Sequence, residues 1–485
     1  MRNTILGIIA DNAVNLPDRL CVVDGRGAYT YAEIWHAAKC AAYELKELGV
    51  KKADCVLVEC TQNADYIVCD FACNMLGAYF VPVEHKASAA NVQAIYEETE
   101  STLLICEEDY EFDAKTVSFA EIMKEEGKEL EDWSFPAEED TAEILYTTGT
   151  TGKSKGIEVS HKNNIAIAEN ISFGTEMRDG NVELIPLPLS HSHALRCSYA
   201  NFFRNGTIVI TDGVTRVLEI YKMIKNYHVT AVDLSPTAAS VLLKLTRGRF
   251  AEFNDQFDYI QIGTAALPEE LKAELCRQFP QVRLYNFYGS TESGRSCVLN
   301  FNSEDDRKYC IGFPTRNAKF IVTDDDRNEI QSDAAHTGLL ASAGAMNMKG
   351  YWKQPELTAQ IMRNGYVYTN DEGYIDERGF VYVLGRKDDI INYKGIKIAP
   401  EEIEEVVAQY KGVKDCACVP VAEKAAGQAP KVFLVLQNPD KFDKTVFVRF
   451  MEEHIDANKI PKYIEIIEEI PRASNGKIQR KKLMG

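Results

Sequence analysis

The chain has 485 residues, more than one hydrophobic core normally supports, so two or more domains are expected. Its composition, 45% hydrophobic and 26% charged, is that of an ordinary globular protein. A formal net charge of −19 argues against nonspecific nucleic-acid binding and against docking on anionic lipid, but leaves room for an anionic small ligand, which local charge decides. Thirteen cysteines without a Cys-x-x-Cys spacing, many in apolar runs such as that of Cys69 and Cys73, read as reduced core thiols of a cytoplasmic protein. The apolar start is broken by Asp11 and Asn12 before a signal-peptide core or membrane span can form, so it reads as a docked helix. No integral membrane segment is expected.

In chain order, Thr30 with Glu33 three residues on makes a capping box, predicting a helix that runs through Leu45 and stops at Gly49. Cys55–Cys60 reads as a buried strand, Asp65–Met75 as a helix and Ala78–Val83 as another strand, a spacing that means a parallel sheet with helices on its faces. Ile144, Leu145 and Tyr146 then lead into Thr147, Thr148, Gly149, Thr150, Thr151, Gly152, Lys153, Ser154, Lys155 and Gly156. Glycines let backbone N–H groups approach an anion, hydroxyls donate hydrogen bonds and lysines add charge, so this is a phosphate cradle. It is not a Walker A loop: Thr147 stands where the first glycine should be, and Gly156–Ser160 alternates like a strand where a helix is required. A phosphate-releasing ATPase or kinase of that kind is excluded, and a plain surface loop is the remaining alternative.

Val182–Leu187 reads as a strand, followed by Pro188, Leu189, Ser190, His191, Ser192 and His193. Strands at 207–210 and 231–234 flank a helix near Val217–Asn226. Strands at 259–262 and 282–286 run into the small-residue loops Gly263-Thr264-Ala265-Ala266 and Phe287-Tyr288-Gly289-Ser290-Thr291-Glu292, the edge at which open α/β sheets bind ligands. From about 310 to 385 the texture is β-like, and a charge-rich turn at 385–389 marks a boundary before a small α+β segment.

Several residues carry chemistry by type. Tyr288 can stack on a base, and Glu292 is a hard oxygen ligand suited to Mg2+ bridging phosphates; a core tyrosine and a solvated glutamate are the plain alternative. Asp371, in an Asp/Gly-rich stretch, can accept both hydroxyls of a ribose or serve as a turn residue. Lys477 lies in a basic tail with Arg472, Arg480, Lys481 and Lys482, where charge is usually just solvated. His191-x-His193 is weak as a metal motif because neither Cys nor carboxylate partners stand at metal spacing.

Taken in order, Tyr146–Gly156, Tyr288-Gly289-Ser290-Thr291-Glu292, Tyr368-Thr369-Asn370-Asp371, Gly385-Arg386-Lys387-Asp388 and Pro471–Lys477 resemble the motif set of the adenylate-forming superfamily, which comprises acyl- and aryl-CoA synthetases, peptide-synthetase adenylation domains and firefly-type luciferases. The resemblance covers nearly the whole chain. It implies an α/β fold: a large N-terminal domain of α/β sheets with a β-rich subdomain (1–385), a hinge (386–389) and a small mobile α+β C-terminal domain (390–485). It implies activation of a fatty or aromatic carboxylic acid by ATP and Mg2+ to an acyl-adenylate, then transfer to a thiol, CoA or the phosphopantetheine of an acyl carrier protein.

By the same resemblance, residues 147–153 and Lys155 hold phosphates, and Gly263, Thr264, Ala265, Asn286, Phe287, Tyr288, Gly289 and Ser290 line the nucleotide site. Thr291 sits at the phosphates, Glu292 holds Mg2+, and Asp371 and Arg386 take the ribose. Lys477 neutralises charge at the α-phosphate, His191 lies beside the carboxylate, Asp388 is the hinge, and Lys394 and Gly395 line the thiol tunnel. Pocket walls are implied at 194–203, 235–240 and 263–266. The chain departs from the family pattern in having Ser154 for proline, His191-Ser192-His193-Ala194 where the family has His-x-x-Gly, and Lys397 for arginine, which keeps charge but loses the bidentate fork. It also lacks the aspartate that amino-acid activators use for a substrate ammonium. A stand-alone enzyme loading a carrier protein is the near alternative, and a non-catalytic nucleotide-binding homologue the distant one.

Overall fold

The structure is a computed structural model describing residues 2–85, 87–124, 127–148, 154–303, 307–393, 396–423, 427–472 and 478–484. The chain divides into two compact units: residues 1–149, 154–320 and 342–367 form the first, and 150–153, 321–341 and 368–485 the second.

The first unit holds two sheets. In one, parallel strands lie in the spatial order Arg283–Ser290, Tyr259–Ile262, Ala231–Leu234, Val182–Ile185, Thr207–Ile210 and Leu20–Val23, with antiparallel neighbours at both ends. In the other, Thr141–Thr148, Tyr79–Val83, Cys55–Glu59, Leu103–Ile105 and Thr116–Val117 run parallel, and Ser154–Ser160 closes a hairpin on Thr141–Thr148. Their apolar runs are buried on both faces, as parallel strands covered by helices must be. The helix Tyr31–Glu47 carries the predicted capping box, Thr30 accepting from Glu33 N while the Glu33 carboxylate accepts from Thr30 N. The predicted α/β character and the early strand–helix–strand order hold.

One expectation needs correction, and one helix carried no signal in the sequence. The strand predicted to end at Asn286 continues to Ser290, because Gly294–Asn300 turns back and pairs with it antiparallel, Phe287 facing Val298 and Tyr288 facing Cys297. Further back, Ser192–Phe203 is a helix that the polar sequence concealed. That helix is buried along most of its length and carries polar side chains into the core on two sides. Arg196 pairs with Glu143 of the hairpin, and the Tyr199 hydroxyl is hydrogen-bonded between Asp70 Oδ2 at 2.8 Å and Glu143 Oε2 at 3.0 Å. On the other side His193 meets Asp233 at 2.6 Å, and Asn201 donates to Glu183 Oε2 at 2.6 Å, a carboxylate that also accepts from Tyr259 and Gln261. Buried polar groups persist only when partnered, and breaking one partner of a buried pair costs about 3–5 kcal/mol.

The second unit carries residues 321–323, 338–341 and 368–375 of three strands with the strand Val381–Arg386, and a C-terminal sheet in which Val413–Glu423 pairs with Gly427–Leu436. Ile403 and Val407 of the helix Pro400–Ala408, with Phe447 and Met451 of Lys444–His454, pack on its buried Cys418, Val432 and Leu434. No helix among the described residues is long and apolar enough to cross a membrane. All thirteen cysteines are free, and Cys276 alone is not fully buried.

Burial, reinforced by Glu143, pushes the Asp70 carboxyl up to about 8. A raised carboxyl favours the protonated folded state, so its contribution is complete below the unfolded value near 4 and is lost as pH climbs through about 8. Asp70→Asn, a mimic of the protonated acid, is therefore expected to flatten the fall in stability between pH 5 and pH 8. Urea midpoints of both proteins at the two pH values check this; parallel declines would remove Asp70 as the source.

Candidate active site

The glycine-rich stretch lies at the tip of the Thr141–Thr148/Ser154–Ser160 hairpin, with Thr147 opposite Lys155 and Tyr146 opposite Gly156. A strand, not a helix, follows the loop, as the Walker A argument required. Gly149, Thr150, Thr151, Gly152 and Lys153 lie outside the described residues. Gly156 is fixed by crowding: a Cβ there would come within 3.0 Å of Ile144 and Tyr146 and 3.1 Å of Trp352.

The short strand Gly350–Tyr351 extends this sheet, Tyr351 facing Ile157. The Tyr351 hydroxyl donates to Glu292 Oε1 at 3.0 Å, and Lys155 Nζ stands 5.3 Å from the centre of the Tyr351 ring. Met348 N donates to Glu292 O at 2.9 Å, tying the Thr291–Glu292 turn to the same segment. Lys155 and Glu292, 137 positions apart in sequence, are thereby brought to the two ends of one tyrosine. Sequence reasoning missed Tyr351; a lone aromatic in a two-residue strand carries no periodic signal.

The Tyr288–Glu292 turn is equally constrained. A Cβ on Gly289 would lie 1.8 Å from Gly294 O, so the bulge at this point admits only glycine. Gly294 itself adopts φ +61°, the left-handed region. Ser290 and Ser293 hydroxyls bond at 3.0 Å, and Thr291 Oγ1 lies 3.1 Å from Ser192 Oγ at the start of the buried helix. His191 is that helix's N-cap residue, and its Nε2 is 3.2 Å from Glu84 Oε1. Burial lowers the His191 pKa below the ordinary imidazole value, against the opposing pull of Glu84. The turn, Ser192 and His191 therefore form one neighbourhood.

Tyr288 is half-buried, its ring centre 6.2 Å from that of Phe320. Phe287 points the other way, buried against Gly174 and beneath Arg295. At the strand ends, Gly263 is pressed on the His193 ring, 2.4 Å from where its Cβ would stand. Thr264 holds φ +79°, a strained value for a β-branched residue, and its hydroxyl is buried without a partner, as is Asn286 Oδ1. Half-buried Ala265 follows in the same loop.

The fold also gives His193 the partners the sequence did not offer: Cys197 one turn on and Asp233 from a neighbouring strand, with ligand-type atoms within 4.8 Å. A metal does not fit there. Arg295 donates to Cys197 Sγ at 3.3 Å, placing a fixed cation on the site, and burial raises the Cys197 thiol well above its usual pKa.

Within the second unit, Asp371 and Arg386 face each other across paired strands, Arg386 Nε 3.0 Å from Asp371 Oδ1. Asn370 donates to Asp388 Oδ2 at 3.3 Å, and Lys387 pairs with Asp325 at 2.6 Å. Lys394, Gly395 and Lys477 lie outside the described residues. The basic tail is not simply solvated, as its composition suggested. Arg480 is buried and holds Glu401 and Glu404 at 2.6 Å each, and Arg472 binds Asp415 at 2.7 Å. Arg472 and Ile478 form an antiparallel bridge, so both flanks of residues 473–477 are anchored.

The hairpin, the glycine-bound turn and the paired strand-end loops define a nucleotide-handling class of enzyme, and comparison with known proteins places the chain within it. The AMP-binding enzyme family matches residues 9–352, and its C-terminal domain matches 402–477. This protein belongs to the AMP-binding enzyme family, the adenylate-forming ligases. It is 25% identical to 4-coumarate:CoA ligase 1 of Petunia hybrida, covering 98% of this chain and 92% of that one. It is 31% identical to the long-chain-fatty-acid–CoA ligase of Salmonella typhimurium, over 71% of this chain and 61% of that protein. The fold matches O-succinylbenzoate coenzyme A synthetase from Bacillus subtilis in complex with ATP and magnesium ion, with TM-score 0.88, 25% identity and 98% coverage of each chain.

Gly263→Ala is expected to displace the His193 ring and to lower stability by about 1–3 kcal/mol, the usual cost of overpacking. Denaturant unfolding of the variant beside Ala265→Gly, which introduces no clash, measures it; equal stabilities would show that the ring moves freely.

Proposed function

We propose that the protein is an AMP-forming acid–thiol ligase. A substrate carboxylate oxygen attacks the α-phosphorus of ATP, the bond to the β-phosphate oxygen breaks, and pyrophosphate leaves. A thiolate sulfur then attacks the acyl carbon of the mixed anhydride, and AMP leaves with the electron pair of the broken C–O bond. The observation that carries this reading is the Glu292 carboxylate held by Tyr351 beside Lys155, at the foot of a glycine-rich hairpin tip. It puts a cation and an oxygen ligand where a phosphate chain needs both.

The donor set suits Mg2+, a hard ion that takes carboxylate oxygen together with substrate phosphates. Glu292 would hold it, and when bound it neutralises phosphate charge. Lys155, with residues 147–153, binds the leaving pyrophosphate, and Tyr288 packs on the adenine. The unpartnered Thr264 and Asn286 polar atoms face ligand groups, and Asp371 with Arg386 binds the ribose. His191, neutral through burial, borders the carboxylate. Lys477 stabilises charge at the α-phosphate. A turn of residues 390–485 about Asp388, between a 1–385 domain and the small domain, then brings Lys394 and Gly395 to the thiol. CoA is the acceptor favoured by the named relatives, with a carrier-protein phosphopantetheine as the other arm of the test. Thirteen free thiols support a cytoplasmic setting.

ATP–pyrophosphate exchange across a panel of carboxylic acids, followed by thioester assays with CoA and with a phosphopantetheinylated carrier, is the test. Acid-dependent exchange is expected, and exchange with no acid would sink the ligase reading. Lys477→Ala should abolish exchange yet leave thioester formation from synthetic acyl-AMP largely intact, since only the first step needs that charge. Glu292→Gln should lower exchange by about 100-fold and raise the Mg2+ concentration required, the scale of losing one preorganised electrostatic group. An unchanged Mg2+ dependence would remove Glu292 as the ligand.

A further inference from the structure

Arg295 is buried, 6% exposed, on the strand Gly294–Asn300 three positions beyond Glu292. Its Nη2 donates to His193 O and to Cys197 Sγ, each at 3.3 Å, and its guanidinium carbon stands 5.0 Å from the Phe287 ring centre. Among the described residues no carboxylate lies within ion-pair distance of it. Buried charges are normally paired, and a guanidinium has five N–H donors, so a carbonyl and a thiol leave it undersupplied.

The titratable groups facing it are His193, Asp233 and Cys197. Asp233 binds His193 Nε2 through Oδ1 at 2.6 Å and leaves Oδ2 buried without a partner, while burial and the charge of Arg295 lower the His193 pKa. Burial keeps Cys197 protonated. None of the three supplies a direct counter-ion.

The guanidinium reaches the loop that ends a central strand of the sheet. Its Nη1 lies 3.0 Å from the position a Cβ on Gly263 would take, at the carboxyl end of the Tyr259–Ile262 strand. Next to Gly263 come the strained Thr264 and its buried, unpartnered hydroxyl. Open α/β sheets bind ligands at this edge, and strain concentrates at such sites. We propose that Arg295 binds a second carboxylate at the far end of the substrate, so that the acid activated is a short dicarboxylic acid. Arg295 is then the specificity-determining residue, with the Thr264 hydroxyl as a further donor. A long alkyl tail would strip water from the guanidinium without replacing it, and a substrate ammonium would be repelled. This inference rests on the ligase reading above.

The test is acid-dependent ATP–pyrophosphate exchange with succinate, glutarate and phthalate against butyrate, valerate and benzoate. Each diacid is expected to exceed its monoacid by about 100-fold in kcat/KM, the scale of one charged hydrogen-bonded pair. Arg295→Leu should reverse the order, and Arg295→Lys should keep part of it with a raised KM and little change in kcat. Where Arg295→Leu does not fold, the mono-methyl ester of each diacid, which deletes only the distal charge, should lose the same factor with the wild-type enzyme. Exchange that favours monoacids, or that treats diacid and half-ester alike, overturns the assignment and leaves the ligase reading standing. Exchange with no acid overturns both.

Discussion

The architecture of the first unit depends on how the Ser192–Phe203 helix satisfies its buried polar side chains. It carries an arginine, a tyrosine, a histidine and an asparagine into the core, and each meets a partner on a different element. Arg196 and Tyr199 bind Glu143 and Asp70 on one side; His193 and Asn201 bind Asp233 and Glu183 on the other. An apolar helix could slide or rotate with little loss, whereas each of these contacts is directional and costly to leave unmade. The helix is thereby fixed against the hairpin strand Thr141–Thr148 and against the strands Val182–Ile185 and Ala231–Leu234. Its first turn then places Ser192 against Thr291 and His191 against Glu84, so these residues are positioned from a buried polar frame.

Close backbone approach does the rest. Gly289 lies so near Gly294 O that no side chain fits, and this bulge turns the chain back before Thr291 and Glu292. Gly156 is crowded less severely, by the Ile144, Tyr146 and Trp352 side chains, and Trp352 N donates to Gly156 O at 2.8 Å, seating Tyr351 beside Lys155. The glycines of the two motifs serve packing of the scaffold as well as any contact with phosphate. Glu292 keeps its place because its backbone carbonyl and its carboxylate are both held from the 348–351 segment.

Local signals in the sequence were faithful where local physics decides. The Thr30/Glu33 capping box, the Cys55–Glu59 and Tyr79–Val83 strands and the Val217–Asn226 helix follow from hydrophobic period and caps. Two failures share one cause. The Ser192–Phe203 helix has polar residues at its buried positions, so its periodicity is masked by partners distant in sequence. The strand through Phe287 and Tyr288 looked like a loop because glycine and serine follow, yet Gly294–Asn300 supplies its ladder. Of the site, motif residues were legible as types, while Tyr351, Ser192 and Arg295 were not. Each acts through a neighbour that only the fold provides.

The C-terminal tail shows the same logic applied to a charge-rich segment. Arg480 looks like one more solvated cation, yet it is buried between Glu401 and Glu404, and burial raises the Glu404 carboxyl to about 7 despite that arginine. A guanidinium that takes two carboxylates from one face of the Pro400–Ala408 helix is an anchor. With Arg472 bound to Asp415 and bridged to Ile478, the chain on either side of residues 473–477 is tied to the small sheet and its helix.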